Sequence, residues 1–202
     1  MYALEELATR DDTPQEDHFV VLSGATWEDY ERLLAIRGDT SAPRITYLEG
    51  ILQLMSPSRG HERIISVIGR LVEVWCLERS VEFTVFGSWT LSRKEAQRGV
   101  EPDECYVFGE VGKRERPDLA IEVVWTSGGV DKLDVYRKLG VREVWFWRRG
   151  AISVHRLTGE RYEQIVQSEV LAGIDLEQLV SFLDQPTANR AIREYLRALR
   201  NG

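Results

Sequence analysis

A carboxylate in the middle of an apolar strand is the feature that most narrows what this chain can be. Leu119 to Trp125 is a run of β-branched and apolar residues with the length and composition of a buried strand, and Glu122 sits at its centre. An ionised Glu without a partner in an apolar interior is too costly to keep, so a cation, a metal or a proton must accompany it. Alternation along a strand puts Asp118, Ala120, Glu122 and Val124 on one face and Leu119, Ile121, Val123 and Trp125 on the other. Two carboxylates, Asp118 and Glu122, therefore share a face.

A further acid precedes this strand. Glu101-Pro102-Asp103 leads into Cys105-Tyr-Val-Phe108, which reads as a strand, and a charged turn follows from Gly109 to Arg116. If the two strands pair as a hairpin, Asp103 and Glu122 converge. Converging carboxylates suit a hard cation, and Mg²⁺ (or Mn²⁺) asks for one or two carboxylates plus waters, which Asp103, Glu122 and the Val123 carbonyl could supply. Water on such an ion becomes a nucleophile.

The remaining pattern is that of a soluble α/β (α+β) chain. Thr26-Trp-Glu-Asp29 matches a capping box, and a helix follows with Trp27, Tyr30, Leu33 and Leu34 at helical spacing and Gly38 at its end. Ile45 to Leu48 and Ile51 to Leu54 flank Glu49-Gly50 as a hairpin. Ser56-Pro-Ser-Arg-Gly60 then leads into a long helix whose inner face is Ile64, Ile65, Ile68, Leu71, Val72 and Trp75. Gly140 closes a helix running from about Val130 to Leu139. A β-meander is expected through Val144–Trp147, Ile152–Leu157 and Tyr162–Val166, and amphipathic helices over Asp175–Leu183 and Thr187–Arg200.

With 202 residues, 43% hydrophobic and 29% charged, the chain has room for one sizeable core. A single domain is expected over residues 19–202, after a flexible segment over 1–18 in which six acids stand against Arg10 alone. No apolar run is long enough to span a membrane, and the acidic N-terminus is unlike a signal peptide, so a cytoplasmic protein is expected. Cys76 and Cys105 lack C-x-x-C spacing and read as buried thiols. The formal charge of −7 argues against a protein that coats nucleic acid, yet residues 137–161 carry seven cations against two acids. That stretch either faces phosphates or is a solvated set of sheet-edge arginines.

The ordered set Tyr47-Leu-Glu-Gly50, Met55-Ser-Pro57, His61-Glu62, Pro102-Asp103, Pro117 to Val123, Lys132-Leu-Asp-Val-Tyr136 and Gly140 to Trp145 resembles the Uma-two-type family. Those proteins look like the PD-(D/E)XK restriction-endonuclease superfamily, and the similarity runs from about Val20 to Leu183. The resemblance implies a restriction-endonuclease-like fold, one mixed central β-sheet flanked by helices, and a Mg²⁺- or Mn²⁺-dependent hydrolase acting on phosphodiester bonds, with DNA as the expected substrate. It makes Asp103 and Glu122 the catalytic metal carboxylates, with Glu62 a further acid. The superfamily pattern has Lys two residues after the Glu, where this chain has Val124. A lysine from the following helix could take its place. Lys138 follows Asp134 at the spacing of an exposed ion pair, so Lys132, at the edge of the apolar face, is the better candidate. His61 and Glu62 read equally as a helix start, and Asp118 equally as a backbone-bonding acid at a strand entrance. The rival reading, from another class, is a scaffold or regulatory binding module that retains the fold and the carboxylates without catalysis. A homodimer is a candidate assembly.

Overall fold

The structure is a computed structural model that describes residues 16–87, 89–125 and 129–201. The first half of the chain runs β1 (His18–Ser23), α1 (Trp27–Arg37), β2 (Arg44–Leu48), β3 (Ile51–Ser56), α2 (Arg59–Glu78), β4 (Phe83–Phe86), β5 (Leu91–Arg93), a short 3-10 turn (Lys94–Ala96) and β6 (Arg98–Val100). The second half runs β7 (Glu104–Phe108), β8 (Leu119–Val123), α3 (Lys132–Leu139), β9 (Glu143–Arg148), β10 (Ala151–Thr158), β11 (Arg161–Ile165), α4 (Leu176–Ser181) and α5 (Ala188–Asn201).

Two sheets result. The six-stranded one has the order β11-β10-β9-β8-β7-β4 and is mixed, because β8 and β9 run parallel while their other neighbours are antiparallel. A parallel pair needs a crossover, and α3 supplies it. This is the expected mixed central sheet. Beside it stands a second, antiparallel sheet of order β1-β3-β2-β6-β5, of which the sequence pattern pairs only β2 with β3.

Local chemistry accounts for the elements. Thr26 and Asp29 form the capping box in both directions, with Asp29 N–H donating to Thr26 Oγ1 at 3.2 Å and Thr26 N–H to Asp29 Oδ2 at 2.9 Å. The β2/β3 turn has positive φ at both Glu49 (44°) and Gly50 (89°), which matches the twist of a tight hairpin. Behind it Trp27, Tyr30 and Tyr47 cluster, with Tyr30 and Tyr47 stacked at 5.5 Å between ring centroids.

The central sheet is buried on both faces near β8, every residue of which is buried. On one face Leu119, Ile121 and Val123 meet the apolar stripe of α2, together with Trp145 and Trp147 of β9. Each fully buried side chain of that kind contributes about 1.5–3 kcal/mol. On the other face Ala120 packs with Val135, Tyr136 and Leu139 of α3. Glu122 has the parity of Ala120, so it points to the α3 side. Cys76 and Cys105 are both free and buried. Among the described residues no helix is long and apolar enough to cross a membrane.

Residues 1–15, most of the acidic segment, lie outside the described residues; Asp17 is buried, and β1 begins at His18.

Candidate functional site

Asp103 stands one step before β7. Continuing the β7/β8 register, in which Glu104 faces Ile121, sets Asp103 opposite Glu122, where cross-strand Cβ atoms lie about 4.5–5.5 Å apart. The backbone locks the arrangement, because Val123 N–H donates to Asp103 Oδ2 at 2.7 Å. Both carboxylates are almost fully buried, at 4% and 1% exposure.

Three elements supply their partners. From α3, Lys132 and Tyr136 lie one turn apart on the same face, and both reach Glu122, the ammonium to Oε2 and the phenol to Oε1. Lys132 is the first residue of the helix, held there by Asp131, whose carboxylate accepts Leu133 N–H at 3.0 Å and Asp134 N–H at 3.3 Å. From the start of α2, His61 Nε2 lies 2.9 Å from Asp103 Oδ2. From β2, Arg44 Nη1 lies 2.8 Å from Asp103 Oδ1, and its other nitrogen donates to Glu62 at 3.1 Å. The Arg44 contact is a close ion pair without hydrogen-bond geometry, and Asp103 Oδ1 is a buried oxygen that accepts no hydrogen bond among the described residues. Asp17, just ahead of β1, closes the chain of contacts: its Oδ2 lies 2.9 Å from His61 Nδ1 and its Oδ1 accepts Ser58 N–H at 2.8 Å.

The charges are set by this packing. Burial opposes a charge on His61, but its hydrogen bonds to Asp103 and Asp17 outweigh that and push its pKa up to about 9, so it is a cation at neutral pH. Burial alone would raise Asp103, yet Lys132, Arg44 and His61 together hold it well below the usual carboxylate range. Glu122 behaves oppositely. Burial dominates, the Asp103 charge adds to it, and Lys132 with Tyr136 only partly offsets them, leaving a pKa raised to about 7. Two facing carboxylates thus have their proton affinities driven apart.

A cleft of about 230 Å³ opens on Glu122 and Lys132, and its lining includes Gln53 and Met55 of β3 and Phe146 of β9. Asp103, beside Glu122 on the neighbouring strand, is not among the residues that line it. Among the described residues no three His, Cys, Asp or Glu side chains converge as a ready metal cage. Mg²⁺ asks less, since one or two carboxylates with waters suffice. The donor chemistry fits it: two buried carboxylates, one with an oxygen lacking any hydrogen bond, already draw in Arg44 and Lys132 as counter-charges.

Of the residues singled out from sequence, the fold brings together Asp103, Glu122, Lys132, His61 and, through Arg44, Glu62. His61 is at once a helix-start residue, its N–H capped by Ser58 Oγ at 3.1 Å, and a partner of Asp103. Asp118 is elsewhere. It sits at the entrance of β8, where Oδ2 accepts Phe108 N–H at 2.9 Å and Oδ1 pairs with Arg114 at 3.0 Å. Lys138 pairs with Glu160 at 3.8 Å, and Asp134 is taken by Arg98 and Arg137. In the basic stretch Arg137, Lys138, Arg156 and Arg161 are matched by acids.

Sequence reasoning missed Asp17, Arg44, Gln53 and Tyr136. Only Tyr136 left a signal, because it follows Lys132 by four residues and must share its face. Glu101, next to the Pro-Asp pair, is structural: it accepts Ile45 N–H at 2.9 Å and Thr90 Oγ1–H at 2.9 Å, and pairs with Arg37 at 2.6 Å.

A family model, Uma2, described as "Putative restriction endonuclease", matches residues 27–185. A solved structure described as "a putative nuclease belonging to DUF820 from Anabaena variabilis" is similar at 16% identity, covering 85% of this chain and 99% of that one, with a TM-score of 0.48. No curated protein matches the sequence.

Proposed function

Because the chain belongs to the Uma2 family of restriction-endonuclease-like proteins, we propose that it is a metal-dependent nuclease that hydrolyses phosphodiester bonds in DNA at the Asp103, Glu122 and Lys132 cluster. The observation that carries this reading is the lysine. Position 124, where the superfamily pattern has its lysine, is Val, yet an ammonium from another element lies against the Glu of the pair. A buried carboxylate needs a counter-charge in any case; what favours catalysis is that this one also lines the open cleft, within reach of a substrate.

Each residue then has a role. Lys132, 16% exposed on its side chain and on the cleft wall, orients the attacking water and meets the charge that builds on the phosphate oxygens. Arg44 and His61 keep Asp103 ionised and fixed in orientation. Val123 N–H sets the carboxylate plane. Mg²⁺ or Mn²⁺, held by Asp103, Glu122 and the Val123 carbonyl, would supply charge neutralisation at the phosphate and a more acidic water.

A melting experiment tests the metal. Millimolar Mn²⁺ or Mg²⁺ should raise the melting temperature with occupancy, as for any ligand bound only by the native state. Glu122→Gln should remove the rise. DNA should be cut only with metal present. One observation favours the rival scaffold reading: Asp103 and Glu122 are already met by protein cations in a closed ion network. A melting curve unmoved by metal, with no cleavage, would decide for the scaffold.

A further inference from the structure

The cleft beside Glu122 and Lys132 has a second wall that phosphate chemistry does not call for. Trp125, just past the end of β8, lines it while keeping 41% of its surface exposed. The indole is held from behind, for it stacks on the buried Trp147 with ring centroids 5.7 Å apart and planes 17° from parallel. It is also held along one edge, where a Cβ at Gly60 would lie 3.0 Å from Trp125 Cζ2. An exposed tryptophan fixed by a stacked neighbour and a glycine is a rigid platform that gains nothing for folding from its open side. Phe19 of β1 and Phe146 of β9 line the same space.

A polar group of defined orientation completes it. Gln53 is 3% exposed and lines the cleft. Its Oε1 accepts Val130 N–H at 2.8 Å, which fixes the amide, and its Nε2 donates to no partner among the described residues. At about 230 Å³ the space is below the roughly 300–1,000 Å³ of pockets for drug-sized ligands, so it suits a single ring system. A flat aromatic wall, a fixed amide donor and a neighbouring lysine on the same cleft together suit a nucleotide with its base turned out.

We propose that this cleft takes one unstacked nucleobase of the substrate, laid on Trp125 with its polar edge at the Gln53 amide, beside the phosphate handled by Lys132. The inference rests on the nuclease reading for the identity of that phosphate. In an intact duplex the bases are stacked inward and cannot reach such a platform, so the preferred substrate is single-stranded or locally unpaired nucleic acid. Stacking on an aromatic side chain is tolerant of base identity, whereas the amide is selective for an acceptor on the base edge.

The test measures binding and cleavage separately. With chelator present, a fluorescent single-stranded oligodeoxynucleotide should bind the full chain about tenfold or more tightly than it binds Trp125→Ala, the loss expected for one stacked base. Trp125→Phe should recover most of the affinity, which separates stacking from misfolding. The blunt duplex of the same sequence should bind more weakly and equally to all three proteins. With Mn²⁺, the single strand should be cut at least tenfold faster than the duplex. Equal affinity of wild type and Trp125→Ala for the single strand overturns the inference, as does failure of any single strand to bind. Duplex cleavage indifferent to Trp125 overturns it while leaving the nuclease reading in place. Trp125-dependent binding without cleavage of any nucleic acid supports the base site and removes the nuclease reading.

Discussion

Lys132 and Glu122 show how a magnitude at one residue separates two roles. In a buried ion pair kept for stability, attraction has to exceed the cost of burial, and removing one partner then costs about 3–5 kcal/mol. The raised pKa of Glu122, about 7, says that burial wins here despite Lys132 and Tyr136. Glu122→Gln should therefore change stability by less than about 1 kcal/mol in chelator at pH 7, as read by urea unfolding; a loss in the range of a broken structural pair would remove Glu122 from the site. Lys132→Ala should lower metal-dependent cleavage by about 10²-fold or more while metal-induced stabilisation persists, since the carboxylate ligands are untouched. Lys138→Ala, at a pair that is 40% exposed on the lysine side, should leave the rate alone. Cleavage rates of the two variants settle the assignment, and equal rates would reject it. Lys132 could be singled out beforehand because helical spacing set it at the edge of an apolar face. Arg44 and Asp17 could not, because charges flanking short strands look the same in sequence whether they face solvent or a partner 59 or 44 positions away.

At the scale of elements, propensity and periodicity were enough wherever the determinants are local. The Thr26/Asp29 box, the Glu49-Gly50 turn, the face of α2 and the Gly140 end of α3 all rest on residues within a few positions of one another. The partition into two sheets was not legible, because β2 pairs with β6 across about fifty intervening residues, through only Tyr47/Gly99 and Leu48/Arg98. That junction depends on one glycine. A Cβ at Gly99 would lie 2.3 Å from the Tyr30 hydroxyl and 2.4 Å from its ring carbon Cζ, and Tyr30 is fully buried between Trp27 and Tyr47. Gly99→Ala should destabilise the protein by about 1–3 kcal/mol through overpacking. Chemical denaturation midpoints check this, and a change under about 0.5 kcal/mol would mean that α1 can slide off the sheet freely.

For the whole molecule the same network sets how stability follows pH. His61 binds its proton more tightly folded than unfolded, with pKa raised from 6.5 to about 9, so its contribution is complete below about pH 6.5 and is lost as pH rises through about 9. The size is on the order of 3 kcal/mol. Glu122, also raised, acts in the same direction between 4.5 and about 7. Asp103 and Asp17 are depressed, so their contribution is present above about pH 4 and is lost on acidification. Metal-free protein should be most stable on the acid side of neutrality and weaken toward pH 9. Thermal melts across that range check it, and His61→Gln should flatten the alkaline limb. The groups packed around His61 are Asp17, Asp103 and Arg44, drawn from three separate parts of the chain.

The placement of the lysine on a helix has one more consequence. In the superfamily pattern Glu and Lys ride on one strand and can be separated only by breaking the sheet. Here Lys132 and Tyr136 ride on α3, eight residues long, which meets the carboxylates across a packed face and not through a β-ladder. Any movement of that helix off the sheet would strip Glu122 of both partners without itself breaking the β7/β8 ladder. Competence at such a site therefore requires the docking of α3 as well as the pairing of the strands on which the acids stand.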